Sequence, residues 1–285
     1  MSRRNIFQII ADNTDQEIEI GRLARLFGDD KLIWYSDMIG YTIKQYVDEY
    51  CFFNWKNRGH CLDLEDYLDT LDYDGLLHDA RTEIDGYLTL IELIMNIWKL
   101  AEQSLPAEDC NWECSEGFYH LHEIMTEELS HYNHKATYDE ENEQVLVVED
   151  KPEVTAVAEI AEPALALEIV RYKHHSMSGN ITEKKTILLA MGSELEPQRK
   201  ILESVDRQLA ANIFYMLNNL NLRHNNCKAG DRNYHEVVAK MKKADLESWY
   251  DELYQMMLLA FLEVDQIERG EKVEELRRQI EGKIV

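Results

Sequence analysis

Apolar residues recur along most of this chain at intervals of three and four, the spacing of one helical face. In 32–53, Ile33, Trp34, Met38, Tyr41, Ile43, Tyr46, Val47 and Tyr50 follow it, which predicts a helix. The segment 76–104 is apolar on more than one face (Leu76, Leu77, Ile84, Tyr87, Leu88, Ile91, Ile94, Trp98) and predicts a helix central to a bundle, ended near Pro106. A further amphipathic helix is predicted at about 116–134. The pattern then changes. Gln144-Val145-Leu146-Val147-Val148 is β-branched, follows a short acidic turn and is closed by Lys151-Pro152, so 136–148 predicts a small hairpin.

Beyond the hairpin the helical spacing returns. Residues 153–172 predict a helix kinked or broken at Pro163, and His174–Gly179 a loop. Asn180, with Glu183 three residues later, has the spacing of a capping box. The helix it opens carries Ile187, Leu188, Met191 and Leu195, with Pro197 in its later part or starting a second helix. Ile201, Val205, Leu209, Ile213, Met216, Leu217 and Leu220 extend the stripe to about 221, and the polar stretch 221–235 ends it. Asp245 is a candidate N-cap for the last major helix, whose face holds Leu246, Trp249, Leu253, Met256, Met257, Ala260, Phe261 and Val264. A charged helix is predicted at 271–282. The expected fold is all-α for the most part: two helical-bundle regions, 1–135 and 153–285, with the hairpin and linker 136–152 between them. The helices at 199–221 and 245–268 are expected to form the core of the second region, packed antiparallel across the polar connection.

Composition agrees with long helices, since the chain has only 4 prolines and 12 glycines in 285 residues. That is too few turn residues for a sandwich, barrel or Gly-rich phosphate cradle. The formal net charge is −25, which disfavours nucleic-acid or anionic-membrane binding through overall charge. The charge is uneven: 1–150 hold 33 acidic and 11 basic residues, whereas 151–285 hold 22 and 19. Such a step suggests two regions with different tasks, the first a candidate surface for a protein partner. The apolar run within the first ten residues is too short for a signal peptide, and no stretch is apolar enough to span a membrane. Five dispersed cysteines (51, 61, 110, 114 and 227) do not form a disulfide framework, so a cytoplasmic setting is expected.

Few residues point to chemistry. Cys110, Cys114, His120 and His122 read C-x3-C-x5-H-x-H, but the spacing is not that of a structural zinc site. Glu128-x-x-His131 lacks the second pair and extra carboxylates of a di-iron bundle. No metal or other cofactor is expected. The acids Asp63, Glu65, Asp66, Asp69, Asp72 and Asp74 read as a solvated face. The stretch 217–226 stands out, because asparagines cluster at a helix end with Arg223 and His224. Asparagine is a poor helix former, so the cluster either caps the helix or forms a polar site. An arginine supplies a fixed charge for phosphate, and a histidine moves protons near neutral pH. The surrounding 181–245 hold 11 basic and 8 acidic residues. RNA cleavage through its own 2′-hydroxyl needs only a base, an acid and phosphate charge stabilisation.

Arg223-His224-Asn225-Asn226 closing a helix, with Leu217-Asn218-Asn219 before it and 246–251 and 254–260 after it, resembles the HEPN superfamily. It is most similar to the bacterial abortive-infection, phage-defence members, over about 165–268. The resemblance implies a helical bundle, a homodimer whose two motifs form one composite site, and a metal-independent endoribonuclease with an Arg-x(4–6)-His motif. Here the next histidine after His224 is His235, twelve residues beyond Arg223, and the frame Arg232-Asn-Tyr-His235 is too short. Arg223, His224 and His235 are therefore the candidate catalytic residues, with Asn219, Asn225, Asn226 and Arg232 as candidate substrate contacts. Either His235 or His224 carries the proton steps, or the domain has lost cleavage and serves as a dimerisation and interaction module.

Overall fold

The computed structural model describes residues 16–106 and 111–281. The N-terminal apolar run and Cys110 lie outside them. The chain is mostly helical and divides into two compact units, 1–150 and 151–285.

The first unit opens with α1 (Gln16–Gly28), which buries Ile20, Leu23, Leu26 and Phe27. The helix expected over 32–53 is replaced in its first half by two short strands, β1 (Ile33–Tyr35) and β2 (Ile39–Tyr41). Between them Ser36 and Asp37 both adopt positive φ (50° and 55°), and Met38 N–H returns to the Tyr35 carbonyl at 3.2 Å. Positive φ at both central residues is the mirror-image turn that matches strand twist. Gly40 lies opposite Trp34, whose ring would sit 2.9 Å from any Cβ placed there. A third strand, β3 (Trp112–Cys114), pairs with β1, so this sheet runs β2-β1-β3, antiparallel throughout.

Only then does helix begin, with a capping box between Thr42 and Gln45 at the start of α2 (Ile43–Tyr46), which continues as a π-turn over Val47–Cys51. The acidic stretch after it is more than a solvated face. Asp63 caps α3 (Leu64–Thr70) by accepting Asp66 N–H, and Asp72, at φ 52°, caps α4 (Tyr73–Asp79) through Gly75 N–H. The continuous helix expected over 76–104 is therefore two, broken at 80–83, with α5 (Ile84–Ser104) as the long one. α5 is the unit's centre. It buries ten side chains from Tyr87 to Ala101, on more than one face. α6 (Glu116–His131) adds Phe118, Leu121, Ile124, Met125 and Leu129 to the same core.

The hairpin forms from β4 (His134–Asp139) and β5 (Gln144–Glu149). It belongs to the first unit, because Val145 and Val147 join the α5 core. Two α5 side chains replace a neighbouring strand: Asn96 exchanges bonds with both backbone groups of Val145, and Glu92 accepts Val147 N–H at 2.6 Å.

In the second unit, α7 (Pro152–Ala158) and α8 (Pro163–Arg171) each start on a proline, which suits the first helical turn. α9 (Ile181–Val205) is capped by Asn180 and holds Pro197 within it. Asp206 accepts N–H groups from Gln208 and Leu209, which starts a new helix, α10 (Arg207–Asn219), where one helix over 199–221 was expected. After the one-turn α11 (Glu236–Ala239), α12 runs unbroken from Lys243 to Ile280. Its N-cap is Lys242, so Asp245 sits in the first turn, and the charged segment expected as a separate helix is the same helix continued. The core gathers Ile187, Leu188, Met191, Leu217, Leu253 and Tyr254 around α9, against which both α10 and α12 pack.

Candidate functional site

The structure has an irregular connection from Leu220 to His235, and one side chain organises it. Asn226 is fully buried. Its amide donates to the carbonyls of Asn218 (3.2 Å) and Asn233 (2.7 Å), and its Oδ1 accepts Asn221 N–H (2.8 Å). Its backbone carbonyl accepts His235 N–H at 2.9 Å. Asn226 thus pins both ends of the connection, and Asn221, at φ 57°, makes the reversal that brings its N–H there. Helix C-termini leave carbonyls without intrahelical partners. Here Tyr250 Oη donates to Leu220 O (3.1 Å), and Lys185 Nζ to Asn221 O. Burial pushes the Tyr250 hydroxyl up to about 12, so it stays a donor at neutral pH. Asn225 makes a local turn, accepting N–H groups of Cys227 and Lys228. The asparagine cluster is accordingly a capping device in large part, and Asn225 and Asn226 are committed to the backbone.

Arg223 is engaged as well. Its Nη1 pairs with Glu196 at 2.5 Å, its Nη2 donates to Gly192 O at 3.1 Å, and the guanidinium lies 5.6 Å from the Phe214 ring centre. Gly192 leaves room for Leu217 rather than for Arg223: a Cβ there would lie 3.0 Å from Leu217 Cδ1 but at an ordinary 3.6 Å from Arg223 Nη2. The charge is directed at α9 and matched by a carboxylate.

His235 faces elsewhere. Its Nε2 donates to Asn219 Oδ1 at 2.9 Å, while the Asn219 amide donates to Tyr215 O. This bond holds the imidazole proton on Nε2. The pair lines a groove of about 570 Å³ shared with Met216, Leu220, Tyr234, Met241, Tyr215, Val237 and Trp249. The last three are 68%, 76% and 48% exposed. Neither Arg223 nor His224 is among the groove's lining residues, and His224 and Arg232 are exposed side chains of the connection. The candidate residues therefore separate: Arg223 bonds against α9, Asn219 and His235 line the groove, Asn225 and Asn226 hold the loop backbone, and His224 and Arg232 are exposed on the connection.

Nothing in the sequence marks the exposed groove residues as a site. The apolar spacing puts Trp249 on the face of the last helix, yet it is half exposed, because that face centres on Tyr250, Leu253, Tyr254 and Met257. Spacing alone does not separate the edge of such a stripe from its centre.

The other candidates have plain roles. His120 bonds Glu123 on the surface, and His122 stacks on Trp98 at 4.5 Å. Burial pushes the Cys114 thiol up to about 11. Glu128 is buried, accepts the Tyr87 hydroxyl at 2.8 Å and lies 3.5 Å from His131. Among the described residues Cys51, Cys61, Cys114 and Cys227 are free thiols, and no helix is long and apolar enough to cross a membrane. No family model matches the chain, and neither a curated protein nor a solved structure matches it.

Proposed function

We propose that this chain is a homodimeric acidic adaptor, a HEPN-like interaction protein in which the second unit pairs with its copy and the first recruits a basic protein. The observation that carries the pairing is the groove: Tyr215, Val237 and Trp249 leave large apolar surfaces in water around one concavity. Aromatic side chains in such a setting are the usual anchors of interfaces. The Arg223–Glu196 pair supports the non-catalytic reading, because an arginine neutralised by a carboxylate is a poor phosphate clamp. The net −22 of residues 1–150 supports the partner's sign. A pull-down with the whole chain checks this part: capture of basic proteins that weakens steeply with salt is expected, and salt-independent capture contradicts it.

A second reading is RNA cleavage of the phage-defence type implied by the resemblance. The observation favouring it is His235, whose tautomer Asn219 fixes within an open groove. The assay is cleavage of a structured RNA pool in EDTA by the wild type and by Arg223→Ala, His224→Ala and His235→Ala. The adaptor reading expects no cleavage in any of the four. Wild-type cleavage reduced about 10²–10³-fold by Arg223→Ala would establish the nuclease instead.

A further inference from the structure

Four tyrosines of the first unit gather on Trp112 of β3, and Tyr35 of β1 lies opposite it across the strand pair. The ring centres of Tyr35, Tyr41, Tyr46 and Tyr50 lie 5.1, 5.8, 5.1 and 5.2 Å from that of Trp112, the spacing of direct ring contact. Two of the four also meet each other at their polar ends. Tyr41 of β2 and Tyr50 of the π-turn stand edge to face, with ring centres 5.6 Å apart and planes 85° apart, and their hydroxyls share a hydrogen bond of 3.0 Å. Tyr50 is 44% exposed, so a reagent in solution reaches it. Its bonds to Tyr41 and to the Glu49 carboxylate push its pKa up, so the phenol keeps its proton at neutral pH. Other tyrosine contacts lack this combination. Tyr172 and Tyr254 stack closer, but both are buried and donate their hydroxyls to Asp251 and to the Ile169 carbonyl. Tyr46 touches Tyr50, but it is buried and donates to the Ser104 carbonyl.

We propose that Tyr41 and Tyr50 are an oxidative modification site, at which a one-electron oxidant joins the two rings as dityrosine. Each phenol gives one electron to the oxidant, a peroxide-derived radical such as the sulfate radical, and releases its hydroxyl proton. Glu49 stands ready to take the Tyr50 proton. The unpaired electron of a tyrosyl radical spreads onto the two ring carbons beside the C–O carbon. Two such carbons, one from each ring, pair their electrons into a single C–C bond. Each then loses its hydrogen as a proton, and each oxygen takes one proton back. The net change is the loss of two hydrogens from the protein and the reduction of two oxidant radicals. Contact between the hydroxyls brings the reacting carbons of the two rings close, which replaces a slow encounter between chains by a local step. Trp112 and Tyr35 widen the target, because an electron lost from either ring is refilled from the pair through rings in contact. The link would fasten β2 to the π-turn. This site is independent of the groove in the second unit.

The test is brief illumination of the dilute full chain with a ruthenium photosensitiser and persulfate, at a dose that oxidises tyrosine detectably, followed by tryptic mass spectrometry. Lys44 lies between the two tyrosines, so trypsin leaves them on separate peptides that only a cross-link holds together. The expected product is that peptide pair, lighter by two hydrogens, in at least about tenfold excess over any link between chains. Tyr41→Phe and Tyr50→Phe keep the rings and should each abolish it, together with most dityrosine fluorescence, while the circular dichroism stays that of the wild type. Tyr119→Phe should leave the yield unchanged, although Tyr119 is 56% exposed and more open than Tyr50. Oxidised wild type without the 41–50 link overturns the proposal. So do links that follow exposure, with Tyr119 and Tyr215 ahead of the pair, or dityrosine fluorescence undiminished in both Phe variants.

Discussion

Lys184 on α9 and Asp251 on α12 meet at 2.8 Å, and the same ammonium reaches Glu247, one helical turn earlier, also at 2.8 Å. The lysine side chain is only 8% exposed, and these two carboxylates are its ion-pair partners. Around them Tyr172 donates to Asp251 and stacks parallel on Tyr254 at 4.0 Å, and Gly179 N–H donates to Glu247. The network fastens the 172–184 segment to the long helix. Breaking a buried pair by removing one partner costs roughly 3–5 kcal/mol. Lys184→Ala should fall near the lower end, about 3 kcal/mol, because Asp251 retains contact with water. Urea denaturation of the variant checks it.

Acid should destabilise both units for the same reason. Burial alone would raise the Glu247 carboxyl, but the Lys184 ammonium and the Gly179 N–H outweigh it and hold the group below its ordinary value. Asp139, at the hairpin turn, is likewise opposed by burial and lowered overall by bonds from Asn142, Gln144 and Glu141. A carboxylate depressed in the folded state stabilises above its unfolded pKa, about 4. That contribution is lost as pH falls through the lower folded value. Thermal midpoints should therefore decline below about pH 4–5. The decline should be shallower in Asp139→Ala and in Glu247→Gln.

Asn226 makes a separate prediction. Replacing it by alanine leaves the Asn221 N–H and the carbonyls of Asn218 and Asn233 without their partner. An orphaned group costs up to about 1–3 kcal/mol when fully buried, and these bonds are part-buried whereas those of Asn225 are exposed, so Asn226→Ala should lower the thermal midpoint more than Asn225→Ala. Equal midpoints would contradict the pinning role.

The core of the second unit was legible in the sequence to good effect. Leu217 and Leu253, both on the predicted stripes, are fully buried, and either change to alanine should cost roughly 2–5 kcal/mol. The hairpin, the Asn180 cap and the break at Pro163 were legible too, since each has a local cause. The β1–β2 strands were not, because Ile33, Trp34, Met38 and Tyr41 satisfy a helical spacing. What decides there is two positive-φ residues, Ser36 and Asp37, neither of them glycine. The site was legible as a place and not as a geometry. Arg223, His235 and Asn226 are close in sequence, yet Arg223 is drawn to Glu196, a residue 27 positions earlier, and no local pattern announces that pairing.

Arg223 itself gives a sharp expectation. Its pair with Glu196 is partly exposed, so Arg223→Ala should cost only about 1 kcal/mol or less through the ion pair. The variant should keep the wild-type oligomeric state, as Arg223 lies outside the groove walls. Size-exclusion chromatography with a parallel melt reads both.

Mass in solution tests the proposed dimer. Light scattering on the full chain at tens of micromolar should give twice the 33.5 kDa protomer. Trp249→Ala, losing an interface anchor worth about 2 kcal/mol, should weaken association roughly thirtyfold and shift the mass toward one protomer. A wild type that scatters as a monomer, or a Trp249→Ala and Val237→Glu double variant that remains fully dimeric, would contradict pairing through this groove.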